Sequence, residues 1–488
     1  MGPTRPGPRA RALLLACAFV SSRAGHAEPQ AVAAPPASPQ VRISELRALA
    51  AKGAAGTAEL TEALKDSRAP VRAAAVQLLA QARGAAAARD IAPLTTDPED
   101  AVAVAAVAAL LGLGGDLSYG AVQKALASPS SRVRSQSAAY IGDARDTRFT
   151  KDLGALLSDA SPGVRRSAIE ALRAIKDPAS FPFLMAATAD EVGDIAASAV
   201  GGLAALGDKR ALPRIAPLTA SAKPAVRAAA AGALPALSGL GSQREAFERS
   251  VADPDRNVRS AAALGLRDHP SPEAAAFLAK LGADPESSVR RIAVQAWREQ
   301  TGNASADALA GFLADPSDGV RATAVYALGT RRQTDRAPAI AALASDASST
   351  VREAVASTLG DLGGPAAETA LVTLGGDAEA SVRAVAVVAL AQQRGTKALA
   401  VIDASLKDAN ALVRLESIRA LGVLGSPEAL ARLRALAGAG DVAVRIAAID
   451  QLGACKDRGA VTLLRKIAQE PVEMLRAAAK RALDAIGS

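Results

Sequence analysis

The amino-acid sequence predicts an all-α protein: an α-solenoid, or superhelix, of about fourteen 31-residue helical hairpins. A hydrophobic residue, usually followed by arginine, recurs along the chain at a constant spacing, with a single step that is one residue longer. In most units an acidic residue lies five positions before it. A period of about 20–50 residues is the signature of stacked repeats. The hydrophobic positions, which number units 1 to 14, are Val71, Val102, Val133, Val164, Ile195, Val226, Val258, Val289, Val320, Val351, Val382, Val413, Val444 and Leu475.

The second helix of each unit is predicted from the residues that follow the hydrophobic position. Small or apolar residues stand at offsets of 0, 4, 5 and 8, as in Val320, Ala324, Val325 and Leu328. These offsets share one face of an α-helix. Because glycine often ends helices, the glycines that follow the last leucine, Gly329 among them, are expected to close this helix.

The first helix of each unit is predicted from earlier apolar pairs, such as Leu309 with Leu313. A turn that reads Asp-Pro or Asp-Ala separates the two helices, as at Asp315 and Pro316. The aspartate can accept hydrogen bonds from the free amides that open the second helix, and proline cannot continue the first helix. No β-strand is predicted anywhere in the chain.

The recurring arginine and acid are predicted to form a structural ladder between layers. Each arginine is expected to pair either with the aspartate six residues before it or with the equivalent aspartate of a neighbouring unit. Ala103 and Ala196 replace the arginine in units 2 and 5, and the longer step lies between Val226 and Val258. These are candidate places for altered curvature or local opening, and the alternative is neutral drift in a redundant array. The ladder residues are Asp66, Arg72, Asp159, Arg165, Asp253, Arg259, Asp284, Arg290, Asp315, Arg321, Asp346, Arg352, Asp377, Arg383, Asp408 and Arg414.

The pattern D-x-x-x-x-[VI]-R-x-x-A-x-x-A-L-G, which runs from Asp315 to Gly329, resembles the HEAT repeat. It is most similar to the short variety of bilin-lyase-like (PBS lyase HEAT-like) proteins. The resemblance implies a helical array but little about function, because one fold hosts many roles. The family includes deoxyhypusine hydroxylase, which binds iron through paired His-Glu motifs. No His-Glu dipeptide occurs here, so that activity is not carried over.

The N-terminus has the features of a secretory signal peptide. Three arginines without an acid precede an apolar run from Leu13 to Val20, and small residues lead to Ala27. We therefore expect export to the periplasm or the extracellular space, with no transmembrane span after signal removal. A lipid anchor at Cys17 is the alternative. The predicted segments are a signal peptide (1–27), a Pro/Ala-rich flexible linker (28–40), an N-terminal capping helix (41–56) and the repeat solenoid (57–488).

The net charge does not indicate a nucleic-acid partner. The formal charge is +8 and falls to +4 once the four arginines of residues 1–27 leave. Twelve of the remaining arginines occupy the repeat position, where ion pairs within the array are expected. Nucleic-acid binding usually adds a basic stripe with stacking aromatic residues, yet aromatic residues make up only 2% of the chain.

Catalytic residues are not predicted, and we expect that the protein is not an enzyme. The chain has two histidines, His26 and His269, and His26 would leave with the signal peptide. The repeated aspartates should lie tens of ångströms apart along the stack, so they cannot share a metal or a proton. Cys455 would be the single cysteine after processing. No metal and no cofactor are predicted.

Partner proteins are expected to bind the outward positions of the second helices, at offsets 2, 3 and 6. The predicted function is an exported scaffold for protein–protein interaction in the cell envelope. One alternative is a regulatory or accessory subunit of an enzyme complex, and another is a lyase that handles a cofactor or chromophore. An exposed apolar strip is expected from Val385 to Ile446. The candidate binding residues are Arg166, Glu170, Arg291, Gln295, Tyr326, Val385, Val388, Leu415, Arg419 and Ile446.

Overall fold

The computed structural model describes residues 38–51, 53–238, 240–300, 303–393 and 398–487. The predicted signal peptide (1–27) and most of the predicted linker lie outside these ranges. The described residues form 29 α-helices and several short 3₁₀ turns, without a β-strand among them. The predicted all-α solenoid of helical hairpins is confirmed.

The second helices follow the repeat in a strict register. Each begins two residues before the hydrophobic position of its unit. In unit 9, Val320, Ala324, Val325 and Leu328 are all fully buried, so the predicted apolar face is the face that packs. The second helices are Ala69–Arg83, Asp100–Leu113, Ser131–Ala144, Pro162–Ile175, Gly193–Leu206, Pro224–Ser238, Arg256–Asp268, Ser287–Glu299, Asp318–Thr330, Ser349–Leu362, Ala380–Gln393, Ala411–Leu424, Val442–Ala454 and Glu473–Ile486.

The first helices are shorter and less regular than the second helices. Most of them begin or end in a 3₁₀ turn, such as Phe312–Ala314 after the first helix of unit 9. They are Thr57–Ala63, Ala88–Ile91, Gly115–Leu126, Thr150–Ala155, Phe181–Ala187, Leu212–Leu218, Arg244–Val251, Ala274–Gly282, Asn303–Gly311, Ala337–Ala341, Pro365–Leu374, Ala398–Ser405, Pro427–Gly438 and Val461–Ile467.

The two sets of helices form two layers. Second helices of successive units contact each other along much of their length. First helices contact the second helices of their own and of the preceding unit, and successive first helices contact each other less extensively than successive second helices do. We call the more tightly packed layer of second helices the inner layer and the layer of first helices the outer layer.

Glycines near the ends of the second helices have a different role from the predicted one. Gly329 was expected to close its helix, yet it lies inside the helix Asp318–Thr330. A Cβ atom on Gly329 would lie 2.6 Å from Cγ2 of Thr358 in the next second helix. The prediction of a helix-ending glycine is therefore wrong at this position, because glycine here serves contact between helices.

The same close approach recurs in other units. A Cβ on Gly142 would lie 2.8 Å from the Cα of Ala171, and a Cβ on Gly453 would lie 2.9 Å from the Cα of Ala482. Real Cβ atoms do not come this near to backbone atoms, so the inner layer could not keep this spacing with alanine at these positions. Small residues thus set how tightly the array packs.

The two ends of the array are built differently from its middle. The helix Pro39–Ala50 packs against the first unit and buries Leu46 completely. This helix begins two residues before the predicted boundary because the Ser38 side chain caps it and proline suits the first helical turn. At the other end, Lys480 is exposed at an offset that is apolar in the other thirteen units. A polar outer face is typical of a terminal repeat.

The contact glycines yield a prediction about stability. Gly453→Ala should lower the urea midpoint, with a loss of about 1–3 kcal/mol, because the new methyl group would push two inner helices apart. Gly201→Ala is the matched control, since Gly201 lies in a second helix with nothing within 4 Å of its Cβ position. It should raise stability by up to about 1 kcal/mol. Stabilisation by both substitutions would contradict the close-packing account.

Candidate interaction surface

Each ladder contact joins two successive units. Nε and Nη2 of Arg321 donate to the two carboxylate oxygens of Asp346 in the next unit, at 2.7 and 2.6 Å. Its Nη1 donates to the backbone carbonyls of Asp315 (2.8 Å) and Pro316 (3.3 Å) in its own turn. Of the two alternatives left open by the sequence, the acid partner is therefore the aspartate of the following unit. The unit's own turn contributes backbone carbonyl groups.

We call a contact between the arginine that follows the hydrophobic position of one unit and the residue at the acid position of the next unit a rung. Nine rungs within the described residues are bidentate pairs with aspartate, and a tenth joins Arg445 to Glu470 through one hydrogen bond. The nine pairs are Arg72–Asp97, Arg134–Asp159, Arg165–Asp190, Arg227–Asp253, Arg259–Asp284, Arg290–Asp315, Arg321–Asp346, Arg352–Asp377 and Arg383–Asp408.

The aspartate of a rung also orders the start of the second helix. One oxygen of Asp315 accepts a hydrogen bond from the backbone N–H of Ser317, at 2.8 Å. Ser317 is the residue that precedes the helix Asp318–Thr330. An aspartate that bonds to the backbone two residues later stabilises a tight turn. Each carboxylate therefore couples the position of the previous unit to the beginning of its own second helix.

These contacts lower the pKa values of several rung carboxyl groups. The hydrogen bonds from Arg134 hold the pKa of Asp159 below its ordinary value of 3.8. The same cause lowers the pKa of Asp377, whose partner is Arg352. At Asp315, burial raises the pKa, but the hydrogen bonds lower it more, so the net direction is downward. Asp159, Asp315 and Asp377 are therefore ionised at neutral pH.

Two of the missing rungs lose both partners together. Unit 2 has Ala103 in place of arginine, and Ser128 stands at the acid position of the unit that follows. Unit 5 has Ala196, and Ser221 stands at the acid position of the unit after it. In the observed rungs, arginine and aspartate occupy these same two positions, as Arg165 and Asp190 do. These joint losses were visible in the sequence, and they could have identified the acid partner before the structure did.

The longer step between Val226 and Val258 does not break the ladder. Arg227 and Asp253 are one residue further apart than the partners of the other bidentate rungs, yet they form the same contact, at 2.7 and 3.0 Å. The extra residue is thus accommodated between the arginine and the acid, while the contact is kept.

The ladder prediction needs two corrections. Asp66 has no preceding unit and instead binds Arg68 at 2.7 Å, which lowers its pKa to about 2. Arg414 was predicted to belong to the ladder, but none of the described carboxylates lies within ion-pairing distance of it. The cause is Ala439, which stands at the acid position of the following unit.

The candidate binding residues occupy three kinds of environment, namely exposed, half-buried and, for Val388, buried. Arg166, Glu170, Arg291, Tyr326, Leu415 and Arg419 are exposed on the second helices. Gln295, Val385 and Ile446 are half-buried, and the last two pack against the core.

Val388 corrects the prediction of an exposed apolar strip. It is only 5% exposed and belongs to the same buried cluster as Ile418 of the next second helix. Helical periodicity places Val388 on the outward side of its own helix, but the neighbouring second helix covers it. The predicted strip from Val385 to Ile446 is therefore interrupted.

Two shallow clefts run between inner helices at candidate residues. Arg166 and Glu170 line one of about 280 Å³, together with Asp143 of the preceding second helix. Gln295 lines another of about 510 Å³, whose walls carry both charges, including Arg267 and Glu299. The inner layer thus offers grooves between units whose lining changes from unit to unit.

Cys455 and His269 are the remaining residues with chemically reactive side chains. The thiol of Cys455 donates to the carbonyl of Gly422 at 3.3 Å, and burial raises its pKa. His269 is exposed at the end of the helix Arg256–Asp268.

Throughout the described part of the chain, no three metal-ligating side chains are grouped together. Nor does any of the described helices combine the length and apolar character needed to cross a bilayer.

Comparison with protein families finds HEAT repeats at residues 120–200, 306–391 and 370–442. No curated protein matches the sequence. The matches support the repeat type without distinguishing the bilin-lyase-like variety.

Several solved structures share the fold. The chain aligns with Kap121p bound to Pho4p at a TM-score of 0.56 and 16% identity, over 94% of this chain and 63% of that chain. It aligns with yeast importin-beta (Kap95p) at a TM-score of 0.53 and 14% identity, over 92% of this chain and 68% of that chain. A Kap121p mutant is matched over only 55% of its length. At such low identity, the likeness concerns the fold alone.

Neighbouring arginines in one helix give a direct test of the rung. Arg290→Ala should lower the free energy of unfolding by about 1–3 kcal/mol, between the effects of an exposed and a fully buried pair. Arg291→Ala should change it by less than about 0.5 kcal/mol, because Arg291 is exposed. Urea denaturation of both variants measures the difference. Similar losses for the two variants would rule out a special role for the rung.

The lowered carboxyl pKa values predict how this stabilisation depends on pH. A depressed pKa stabilises the folded state above the unfolded value of 3.8, and the effect is lost as the pH falls through the folded value. Asp377→Asn should therefore lower the urea midpoint most at pH 6. The gap to the unmodified protein should close below about pH 4 as Asp377 itself becomes protonated. A gap that stays constant from about pH 6 to 2.5 would argue against an ionic rung.

Proposed function

We propose that this chain, in which HEAT repeats are found at residues 120–200, 306–391 and 370–442, is an exported scaffold that binds partner proteins along its inner layer of second helices. The proposal is supported by the different roles of two sets of side chains in that layer. The repeated side chains are occupied in holding the array together, whereas exposed positions such as Arg166, Arg291 and Tyr326 vary from unit to unit. Exposed arginine and tyrosine are favoured anchors at protein interfaces.

The structures of similar fold support a protein as the partner. Kap121p was crystallised bound to Pho4p and also bound to Ste12p. Those proteins show that an array with this architecture can hold another protein. The present chain spans 55–68% of the length of the Kap121p mutant and of yeast importin-beta. We therefore transfer to this chain only the general mode of action, which is the binding of another protein, and no individual binding residue.

Export is the second part of the proposal. It is supported by residues 1–27, where a basic start, an apolar run and small residues precede Ala27. The scaffold would then act in the periplasm, or outside the cell.

The N-terminus of the mature protein tests this part. Mass spectrometry of protein purified from the envelope fraction should find Glu28 as the first residue. A lipid-modified N-terminus at Cys17 would support the anchored alternative instead. Recovery of the uncleaved chain from the cytoplasm would contradict export.

Affinity capture from the envelope fraction tests the binding face. We expect the variant with Arg166→Ala, Arg291→Ala and Tyr326→Ala to retain less than about a tenth of the captured partner, as for interface anchors. The matched control carries Lys151→Ala, Lys280→Ala and Arg465→Ala, which are exposed positions on the first helices. Equal capture by both variants would show that the inner layer is not the binding face.

A further inference from the structure

The ladder is open between units 12 and 13. At the other two interruptions, arginine and acid are lost together, as with Ala103 and Ser128. Here the arginine, Arg414, is kept although Ala439 has replaced the acid. The nearby Asp441 accepts a hydrogen bond from the N–H of Val444 at 3.0 Å, and it forms no ion pair with Arg414 among the described residues. The described residues therefore leave the carboxylate position of this rung unfilled.

The guanidinium of Arg414 is nevertheless held in the rung conformation. Its Nη1 donates to the backbone carbonyls of Asp408 and Ala409, at 2.8 and 2.9 Å. Arg383, in a complete rung, makes the equivalent contacts at 2.7 and 2.9 Å. Because Nη1 of Arg414 is bound to the turn, its Nε and Nη2 remain as a fixed pair of hydrogen-bond donors. Ala439 and the glycines on either side of it are exposed, so solvent reaches this position.

Two exposed leucines lie on the same helical turn as Arg414. Leu412 and Leu415 are 49% and 39% exposed, and they lie three residues apart on one face of the helix Ala411–Leu424. No other unit carries leucine at both of these positions. In unit 13, Val444 is half-buried, whereas the hydrophobic position is buried in the other thirteen units.

We infer that this open rung, formed by Arg414, Leu412, Leu415 and Ala439, docks a partner segment that carries a carboxylate beside an apolar side chain. The partner's aspartate or glutamate takes the place that aspartate fills in nine complete rungs. An arginine fork binds a carboxylate through two parallel hydrogen bonds, and neighbouring apolar groups strengthen such a contact by excluding water. The inference rests on the proposed scaffold function and specifies the chemistry of one partner contact.

Peptide binding to the whole chain tests the open rung. The probe is a fluorescent heptapeptide with one central aspartate between two leucines, and its comparison peptide has asparagine instead. Fluorescence anisotropy should show the aspartate peptide binding about tenfold more tightly. Arg414→Gln should abolish this preference, whereas Arg465→Gln, an exposed control in the outer layer, should retain it. Equal affinity for the two peptides, or a preference that survives Arg414→Gln, would overturn the inference.

Stability measurements provide an independent check that the rung is open. Arg414→Gln should lower the urea midpoint less than half as much as Arg383→Gln, because only Arg383 loses a carboxylate partner. Equal losses would mean that Arg414 is paired within the chain, which would refute the inference. If Arg414→Gln leaves partner capture intact while the Arg166, Arg291 and Tyr326 variant abolishes it, the open rung fails and the scaffold function stands.

Discussion

The bidentate contact between the arginine of one unit and the aspartate of the next is the interaction on which the array depends. One guanidinium closes the turn of its own unit and holds the following unit, as Arg321 does with Pro316 and Asp346. The aspartate in turn fixes the start of the next second helix. Because the pairs are largely buried, water screens them less than it screens a surface ion pair. The extra residue before Asp253 is tolerated because the contact is preserved.

Close packing of small residues is the second constraint, and it acts on the same layer. Gly142 and Gly453 let successive second helices approach to distances at which a methyl group has no room. A stacked array derives its stability from each unit and from the contacts between neighbours. The junctions after units 2, 5 and 12 lack the rung, although other polar contacts cross these junctions, such as Lys223 with the carbonyl of Glu191 and Arg432 with Asp403.

The sequence was sufficient for the fold because periodicity reports which face of a helix is buried. The register of the second helices and the burial of Val320 or Leu328 followed directly from the offsets. Periodicity does not report how close the neighbouring helix lies. For that reason Val388 was wrongly placed on an exposed face, and Gly329 was wrongly expected to end a helix. The acid partner of each arginine was also ambiguous. One aspartate lies six residues before the arginine and an equivalent aspartate lies 25 residues after it, as Asp315 and Asp346 do for Arg321.

A double-mutant cycle tests the central claim most directly, because it measures the coupling of Arg259 to each of two aspartates. The rung account predicts a coupling free energy of about 1–3 kcal/mol between Arg259 and Asp284 of the next unit. Coupling between Arg259 and Asp253, six residues earlier, should be below about 0.5 kcal/mol, because that aspartate offers Arg259 its backbone carbonyl and gives its carboxylate to Arg227. Stronger coupling to Asp253 than to Asp284 would contradict a ladder that joins successive units.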